Sequence, residues 1–179
     1  MSRLALAVAS LIVGVVATPV AAFAQCSATG APANCGVPGT VSMTAGRVVR
    51  LQMSVASTTL TAPTPTDFDA GFNSTTGPSL SVSANSAWTL HIRAASATWT
   101  ATNTSPGAAA RTTKPAADLK WATAPNGTFA ALTTTDASLF NGGATANGAT
   151  TLYFQTLYDW SVDTPGNYGL SIVLTLTAP

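Results

Sequence analysis

Apolar and polar residues alternate along most of the chain after residue 25, with the period of two that is typical of half-buried β-strands. Val49 and Leu51 share one side of a stretch whose other side carries Arg50. Other stretches with the same alternation are Leu80–Val82, Trp88–Ile92, Leu119–Trp121, Leu152–Val162 and Tyr168–Leu176. No stretch after Gln25 has the 3.6-residue period of an amphipathic helix. The pattern therefore predicts an all-β fold.

Turn signals separate these predicted strands. Asn126-Gly127 follows Pro125, and Asn-Gly is the strongest short signal for a β-hairpin. Pro165-Gly166 fits the two central positions of a type II turn. Short strands at this spacing predict a single antiparallel β-sandwich, Ig-like or jelly-roll-like, over residues 41–179. We expect loops at Ala62–Pro78 and Ala101–Asp118.

The first 24 residues have the features of a secretory signal peptide. Arg3 is followed by an apolar run from Leu4 to Ala17, about 14 residues against the roughly 20 that cross a bilayer. Small residues before the predicted cleavage point place it between Ala24 and Gln25. We therefore expect a secreted protein of the extracellular cell surface, with no membrane association after cleavage.

Two cysteines, Cys26 and Cys35, lie directly after the predicted cleavage point. An exported chain reaches an oxidising compartment, where a pair of thiols usually forms a disulfide. We expect this disulfide to close a short loop within an N-terminal segment, residues 25–40. Two thiols without a nearby His make a metal site a weaker interpretation.

Charged residues make up only 7% of the chain, against about 25% in an ordinary soluble domain. There is no Glu and a single His. Without the signal peptide, six basic residues balance six Asp, so the clustered basic surface of a nucleic-acid binder is missing. Catalysis and metal binding draw mainly on His, Glu, Asp and Cys. We therefore predict a protein without catalytic residues, cofactor or metal.

A few residues could still carry chemistry. His91 should point away from the apolar face of its strand, which favours a surface residue over a catalytic base. Asp67 with Asp69, and Asp159 with Asp163, could act as paired glycosidase carboxylates or as calcium ligands. Their spacing matches no dedicated calcium loop, so solvated loop acids are the simpler interpretation.

Four tryptophans could serve either a core or a sugar-binding surface. Trp88, Trp121 and Trp160 share the parity of apolar neighbours, which predicts core packing. Trp99 lies between Thr98 and Thr100 in a Thr-alternating stretch. It is therefore the candidate for an exposed glycan platform.

Two segments resemble the WxL-type domains of bacterial cell surfaces. Trp88-Thr89-Leu90 is similar to the first Trp-x-Leu motif of that family. Asp163–Tyr168, followed by a last strand with Leu174-Thr175-Leu176, resembles the C-terminal end of the family, with Leu174 at the position of the second Trp. The resemblance implies a secreted, non-enzymatic β-sandwich that attaches non-covalently to cell-wall polysaccharide or peptidoglycan.

A second resemblance offers an alternative partner, namely further copies of the same chain. Pilus-like and spore-coat subunits also end in a Pro-Gly-x-Tyr strand and often polymerise by lending a strand to a neighbour. Here Gln25–Val41 would be the donor. Our main expectation is a structural or adhesive surface protein; the alternatives are such a filament subunit and a carbohydrate-binding module that uses Trp99.

Overall fold

The computed structural model describes residues 26–32, 34–37, 39–103 and 109–179. The predicted signal peptide, residues 1–24, and the predicted cleavage point between Ala24 and Gln25 lie outside the described residues. The chain divides into two compact units, one ending at Thr44 and the other spanning Ala45–Pro179. We describe each unit by itself.

In the N-terminal unit, the predicted disulfide between Cys26 and Cys35 is confirmed, with 5.7 Å between the two Cα atoms. The described residues of this unit contain no strand or helix. Val37, Val41 and Met43 are exposed, Val41 almost completely.

The second unit is built almost entirely from antiparallel strands, which confirms the predicted all-β sandwich. The strands are β1 (Val49–Met53), β2 (Phe72–Ala84), β3 (Trp88–Ala94), β4 (Thr100–Thr102), β5 (Leu119–Ala122), β6 (Ala130–Ala131), β7 (Ala137–Gly142), β8 (Thr145–Leu157), β9 (Asn167–Gly169) and β10 (Ile172–Thr177). A short helix, α1 (Pro65–Ala70), and a 3-10 turn (Ala116–Asp118) interrupt them.

These strands form three sheets. A five-stranded sheet has the order β1-β2-β8-β5-β6, and a three-stranded sheet has the order β10-β3-β7. A third sheet consists of β4 and β9 alone. The predicted Asn126-Gly127 turn lies between β5 and β6, which pair as a hairpin.

One hydrophobic core joins the two larger sheets. Residues at every second position of β3 are buried, as the sequence alternation predicts. They pack with alternate residues of the five-stranded sheet and with neighbouring apolar side chains in one cluster. Its largest fully buried side chains are Leu80, Val82, Leu90, Ile92, Leu132 and Leu152.

Gly77 and Pro78 interrupt the pairing of β2 with β8, where the register shifts between Thr76 and Ser79. Pro cannot donate a ladder hydrogen bond, so a bulge is a place where a strand tolerates it. A Cβ atom on Gly77 would lie 2.5 Å from the ring of Phe154. The glycine therefore lets this aromatic ring lie directly against the β2 backbone.

A tyrosine holds the turn that precedes β9. The Tyr168 hydroxyl donates to the carbonyl oxygen of Thr164 at 2.6 Å and accepts from the Arg111 backbone N–H at 3.0 Å. A hydroxyl bonded to the backbone four residues upstream resembles the tyrosine corner of Greek-key sandwiches. The Pro-Gly-x-Tyr sequence thus belongs to a hydrogen-bonded corner.

Two expectations about local structure are wrong. The predicted loop Ala62–Pro78 contains α1 and the start of β2, because Thr64 and Asp67 form a capping box and Gly71 ends the helix at φ 78°. The predicted long strand Leu152–Val162 ends at Leu157, so Trp160 lies in the following turn. In the described part of the chain, no helix has the length and apolarity to cross a membrane.

Two neighbouring glycines test how tightly the core is packed. A Cβ atom on Gly142 would lie 2.9 Å from the indole of buried Trp88, whereas one on Gly143 would meet nothing within 4 Å. We expect Gly142→Ala to lower the free energy of unfolding by about 1–3 kcal/mol through overpacking, and Gly143→Ala to change it by less than about 0.5 kcal/mol. Urea denaturation of both variants measures the difference, and equal values would contradict this packing.

Candidate functional site

An apolar groove runs along one edge of the sandwich, with a volume of about 1500 Å³. We call it the edge groove. Two stretches of chain line it, one between Leu51 and Pro63 and the other between Asp163 and Leu174. Both stretches include strands that end a sheet, since β1 and β10 each pair with a single neighbour among the described residues. Each strand thus has a backbone edge without a strand partner.

The edge groove opens onto the hydrophobic core. Trp99, Leu119 and Phe154 belong to the buried core and also line the groove. Half-buried apolar side chains on both walls, such as Leu51 and Ile172, pack against the same core. The sandwich is therefore incompletely covered on this side, which leaves an apolar surface of the kind that marks an interaction site.

Trp99 is not the exposed platform that its sequence neighbourhood predicts. The residue is only 5% exposed, and its indole N–H donates to the Pro115 carbonyl oxygen at 3.0 Å. Thr98 forms an isolated β-bridge with Pro115, which brings this carbonyl within reach of the indole. Alternating threonines therefore flank a core tryptophan, and the predicted glycan platform at Trp99 is wrong.

Trp160, predicted to be a core residue, is instead 61% exposed. Its ring stacks on Phe68 of α1, with 4.5 Å between ring centroids and 28° between ring planes. The indole N–H donates to Asp69 Oδ1 at 3.0 Å. Tyr158 packs against Phe68, with 5.3 Å between the two ring centroids. The exposed indole therefore has a fixed orientation.

The four acids considered as catalytic pairs or calcium ligands have partners within the protein. Asp67 accepts hydrogen bonds from Thr64 that lower its pKa, and Asp159 accepts from Ser161, which lowers its pKa in the same way. Asp69 accepts from the Trp160 indole. Among the described residues, no group of three or more His, Cys, Asp or Glu side chains could hold a metal ion.

Asp163 belongs to a buried ionic cluster with Lys114, Arg111 and Asp118. Lys114 is 3% exposed, and its ammonium donates to Asp163 Oδ1 at 2.9 Å and to the Leu157 carbonyl oxygen at 2.8 Å. Arg111 also donates to Asp163 Oδ1 at 2.9 Å. The cluster ties the segment before the 3-10 turn to the turn that follows β8.

Two opposing effects act on the pKa of Asp163. Burial raises the pKa, but hydrogen bonds from Lys114 and Arg111 favour the charged carboxylate and hold the pKa below its ordinary value. Burial also raises the pKa of Tyr158, beside the same cluster. The carboxylate of Asp163 is therefore ionised in the folded protein, and its charge holds Lys114 and Arg111 in place.

His91 lies on β3 with its side chain half-buried, on the face opposite to the core. Its Nδ1 atom is buried and has no hydrogen-bond partner among the described residues. The neighbouring strands place Thr175 and Ser138 opposite His91 in the ladder. This position provides neither an acid nor a nucleophile paired with the imidazole in the described chain.

The two segments that resemble WxL motifs lie on neighbouring strands. Trp88 and Leu90 are buried on β3, and the Trp88 indole donates to the Gly143 carbonyl oxygen at 2.8 Å. Leu174 and Leu176 are half-buried on β10, where Leu176 pairs with Leu90. Comparison with models of known protein families and with curated proteins returns no match.

Sequence reasoning missed the edge groove, the buried cluster and the Phe68–Trp160 stack. The contacts of Asp163 with Arg111 and Lys114 join residues about 50 positions apart, and the bond between Trp160 and Asp69 spans 91 positions. Alternation reports which face of a strand is buried and carries no signal for such contacts between loops. Local signals could have placed Phe68 on a helix, namely the capping box around Thr64, Pro65 at the first helical position and Gly71 at the end.

The ionic cluster predicts a specific response to acid. Because the folded pKa of Asp163 is lowered, its stabilisation is complete above the unfolded value of about 3.9 and is lost as the pH falls through the folded value. At neutral pH, Asp163→Asn removes the closer of the two carboxylates that hold buried Lys114 and leaves Asp118 at 3.3 Å. We therefore expect a loss of about 3 kcal/mol, the lower end of the range for a broken buried ion pair. Denaturant titrations between neutral and acidic pH measure both effects, and the variant should lose less stability on acidification.

Asp136→Asn is the matched control. Asp136 pairs with Arg93 at 3.5 Å, and both side chains are more than a third exposed. Such a pair contributes about 0–1 kcal/mol. If the two Asn variants lost equal stability, the structural role of Asp163 would be wrong.

Proposed function

We propose that the chain is an exported, non-enzymatic structural protein of the bacterial surface that assembles with itself by strand exchange. The edge groove of one copy receives residues 37–44 of a second copy, which we call the donor segment. The observation that carries this proposal is the groove itself, an apolar opening onto the core between two strands that end their sheets.

An extended segment suits this groove in both backbone and side chains. The unpaired edges of β1 and β10 offer N–H and C=O groups to an added strand. Alternate side chains of such a strand would point toward Trp99, Leu119 and Phe154. One occupant would thus satisfy exposed backbone groups and cover apolar surface together.

Apart from Pro38 and Gly39, the donor segment has the alternation of a half-buried strand, although its described residues are exposed. Val37, Val41 and Met43 have the same parity, and Val41 and Met43 are 99% and 87% exposed. Thr40 and Ser42 alternate with them, and the segment carries no charge. Eight extended residues span about 26 Å, enough to pass the six residues of β10.

The charge balance of the chain also favours association. Six basic residues and six Asp remain after the predicted signal peptide is removed. A net charge near zero removes the repulsion that keeps soluble domains apart. Copies of this protein therefore approach each other without an electrostatic barrier.

Attachment to cell-wall polysaccharide or peptidoglycan remains part of the proposed surface role. Its support is the resemblance of Trp88-x-Leu90 and Leu174-x-Leu176 to WxL motifs; Leu90 and Leu176 are paired on neighbouring strands. Binding to insoluble peptidoglycan in a sedimentation assay tests this property separately from self-assembly. Protein that stays in the supernatant would contradict wall attachment.

Strand exchange predicts that charge is tolerated on only one face of the donor segment. We expect Val41→Asp to abolish assembly, because the new carboxylate would enter the apolar groove without a partner. Thr40→Asp adds the same charge on the opposite face and should assemble like the parent. Sedimentation velocity and negative-stain microscopy of the three purified proteins measure the assembled fraction.

Three outcomes would contradict strand exchange. The parent could stay monomeric at all concentrations, Val41→Asp could assemble like the parent, or both Asp variants could fail equally. A synthetic peptide of residues 36–45 adds an independent measurement. We expect it to bind the Val41→Asp protein, whose groove is intact, and to inhibit assembly of the parent.

A further inference from the structure

We propose that Trp160, with Phe68 and Asp69, forms a saccharide-binding platform for the flat face of a β-1,4-linked pyranose chain. One copy of the chain contains all three residues, but Phe68 and Trp160 also line the edge groove, so a saccharide and a donor segment would meet at this surface. The proposal rests on how the exposed indole is held and on the polar groups around it.

Trp160 differs from the other three tryptophans of the chain. Trp88, Trp99 and Trp121 are at most 8% exposed, whereas Trp160 is 61% exposed. Burying such a large aromatic surface would be favourable, so its exposure points to a surface reserved for a ligand. One face of the ring rests on Phe68, which leaves the opposite side of the indole for a ligand.

The turn that carries Trp160 is rigidly bonded. The Asp163 backbone N–H donates to the Asp159 carbonyl oxygen at 2.9 Å, and the Asp159 N–H donates to Asp163 Oδ2 at 3.0 Å. Ser161 donates to Asp159 Oδ1 from both its backbone and its hydroxyl, each at 2.7 Å. A ligand would therefore meet an indole already ordered, with little conformational entropy to lose.

The helix fixes the other half of the platform. Thr64 and Asp67 cap α1 in a reciprocal box, and the helix presents Phe68 and Asp69 toward the turn. Asp69 accepts the indole N–H, the only polar group of the tryptophan side chain. The free indole surface is consequently apolar, and the Asp69 carboxylate lies at its N–H edge.

This combination matches the chemistry of a sugar ring. In a β-1,4-linked pyranose chain, axial C–H groups form flat apolar faces and the equatorial hydroxyls point outward. The apolar face suits the indole, and hydroxyl donors suit the carboxylate of Asp69. Asp69 uses one oxygen, Oδ1, for the hydrogen bond from the indole, and in the described chain its other oxygen has no protein donor. An aromatic surface with a few fixed polar groups is the usual composition of a ligand site.

The test uses cellohexaose and chitohexaose as probes with the purified protein. Because Trp160 is the exposed tryptophan, acrylamide should quench mainly its emission, and bound saccharide should protect it from quenching. Isothermal titration calorimetry, which needs no tryptophan reporter, measures the affinities of the variants. We expect at least one probe to bind, Trp160→Ala to weaken that binding by about tenfold or more, and Trp160→Phe to retain part of it. Phe72→Ala is the control, because Phe72 is also exposed at 43% but lies at the start of β2.

Several results would overturn the platform. Neither probe might protect the tryptophan emission, or Trp160→Ala could bind as well as the parent. Trp160 also lines the edge groove, so a protein occupant is the competing interpretation. Loss of assembly in Trp160→Ala, without saccharide binding by the parent, would assign the indole to the protein interface. If saccharide binds while the parent stays monomeric, the platform stands and strand exchange fails.

Discussion

The structure depends on burying one face of three strands, β2, β3 and β8, in a single core. Their alternating side chains form the inner layers of both larger sheets, and every other element packs onto or extends those layers. The core is not closed at the edges formed by β1 and β10, where the edge groove reaches Trp99 and Phe154. Apolar burial is the main stabilising force of the fold, and where it is incomplete it leaves the apolar surface of the edge groove.

Four of the few charged residues of the chain lie together in one place. Arg111, Lys114, Asp118 and Asp163 converge in a mostly buried cluster, although charged residues are only 7% of the sequence. A buried ion pair contributes little net stability against an apolar substitute, but it is specific in geometry. Here it fixes the turn that displays Trp160. The same turn therefore combines an internal anchor with an exposed aromatic ring.

The strands could be predicted because burial of one sheet face leaves a period of two, as in Trp88–Ile92. The prediction for Trp160 was wrong because the alternation of apolar and polar residues continues in the sequence after the strand has ended at Leu157. The prediction for Trp99 was wrong because alternating threonines indicate only that one side of the chain faces solvent. They carry no information on the Pro115 carbonyl oxygen, which accepts a hydrogen bond from the indole. Contacts between distant loops, such as Lys114 with Asp163, depend on topology and have no local signal.

The burial of Lys114 means that the lysines of the chain differ in how far a reagent can reach them. The sequence contains two lysines, Lys114 and Lys120. In the folded state the Lys114 amine is held by three oxygen acceptors and shielded from solvent, while Lys120 is half-buried on β5. An acylating reagent can therefore reach Lys120 in the folded protein but can reach Lys114 only when the cluster opens. The rate at which Lys114 is acylated would therefore report how often this region unfolds locally.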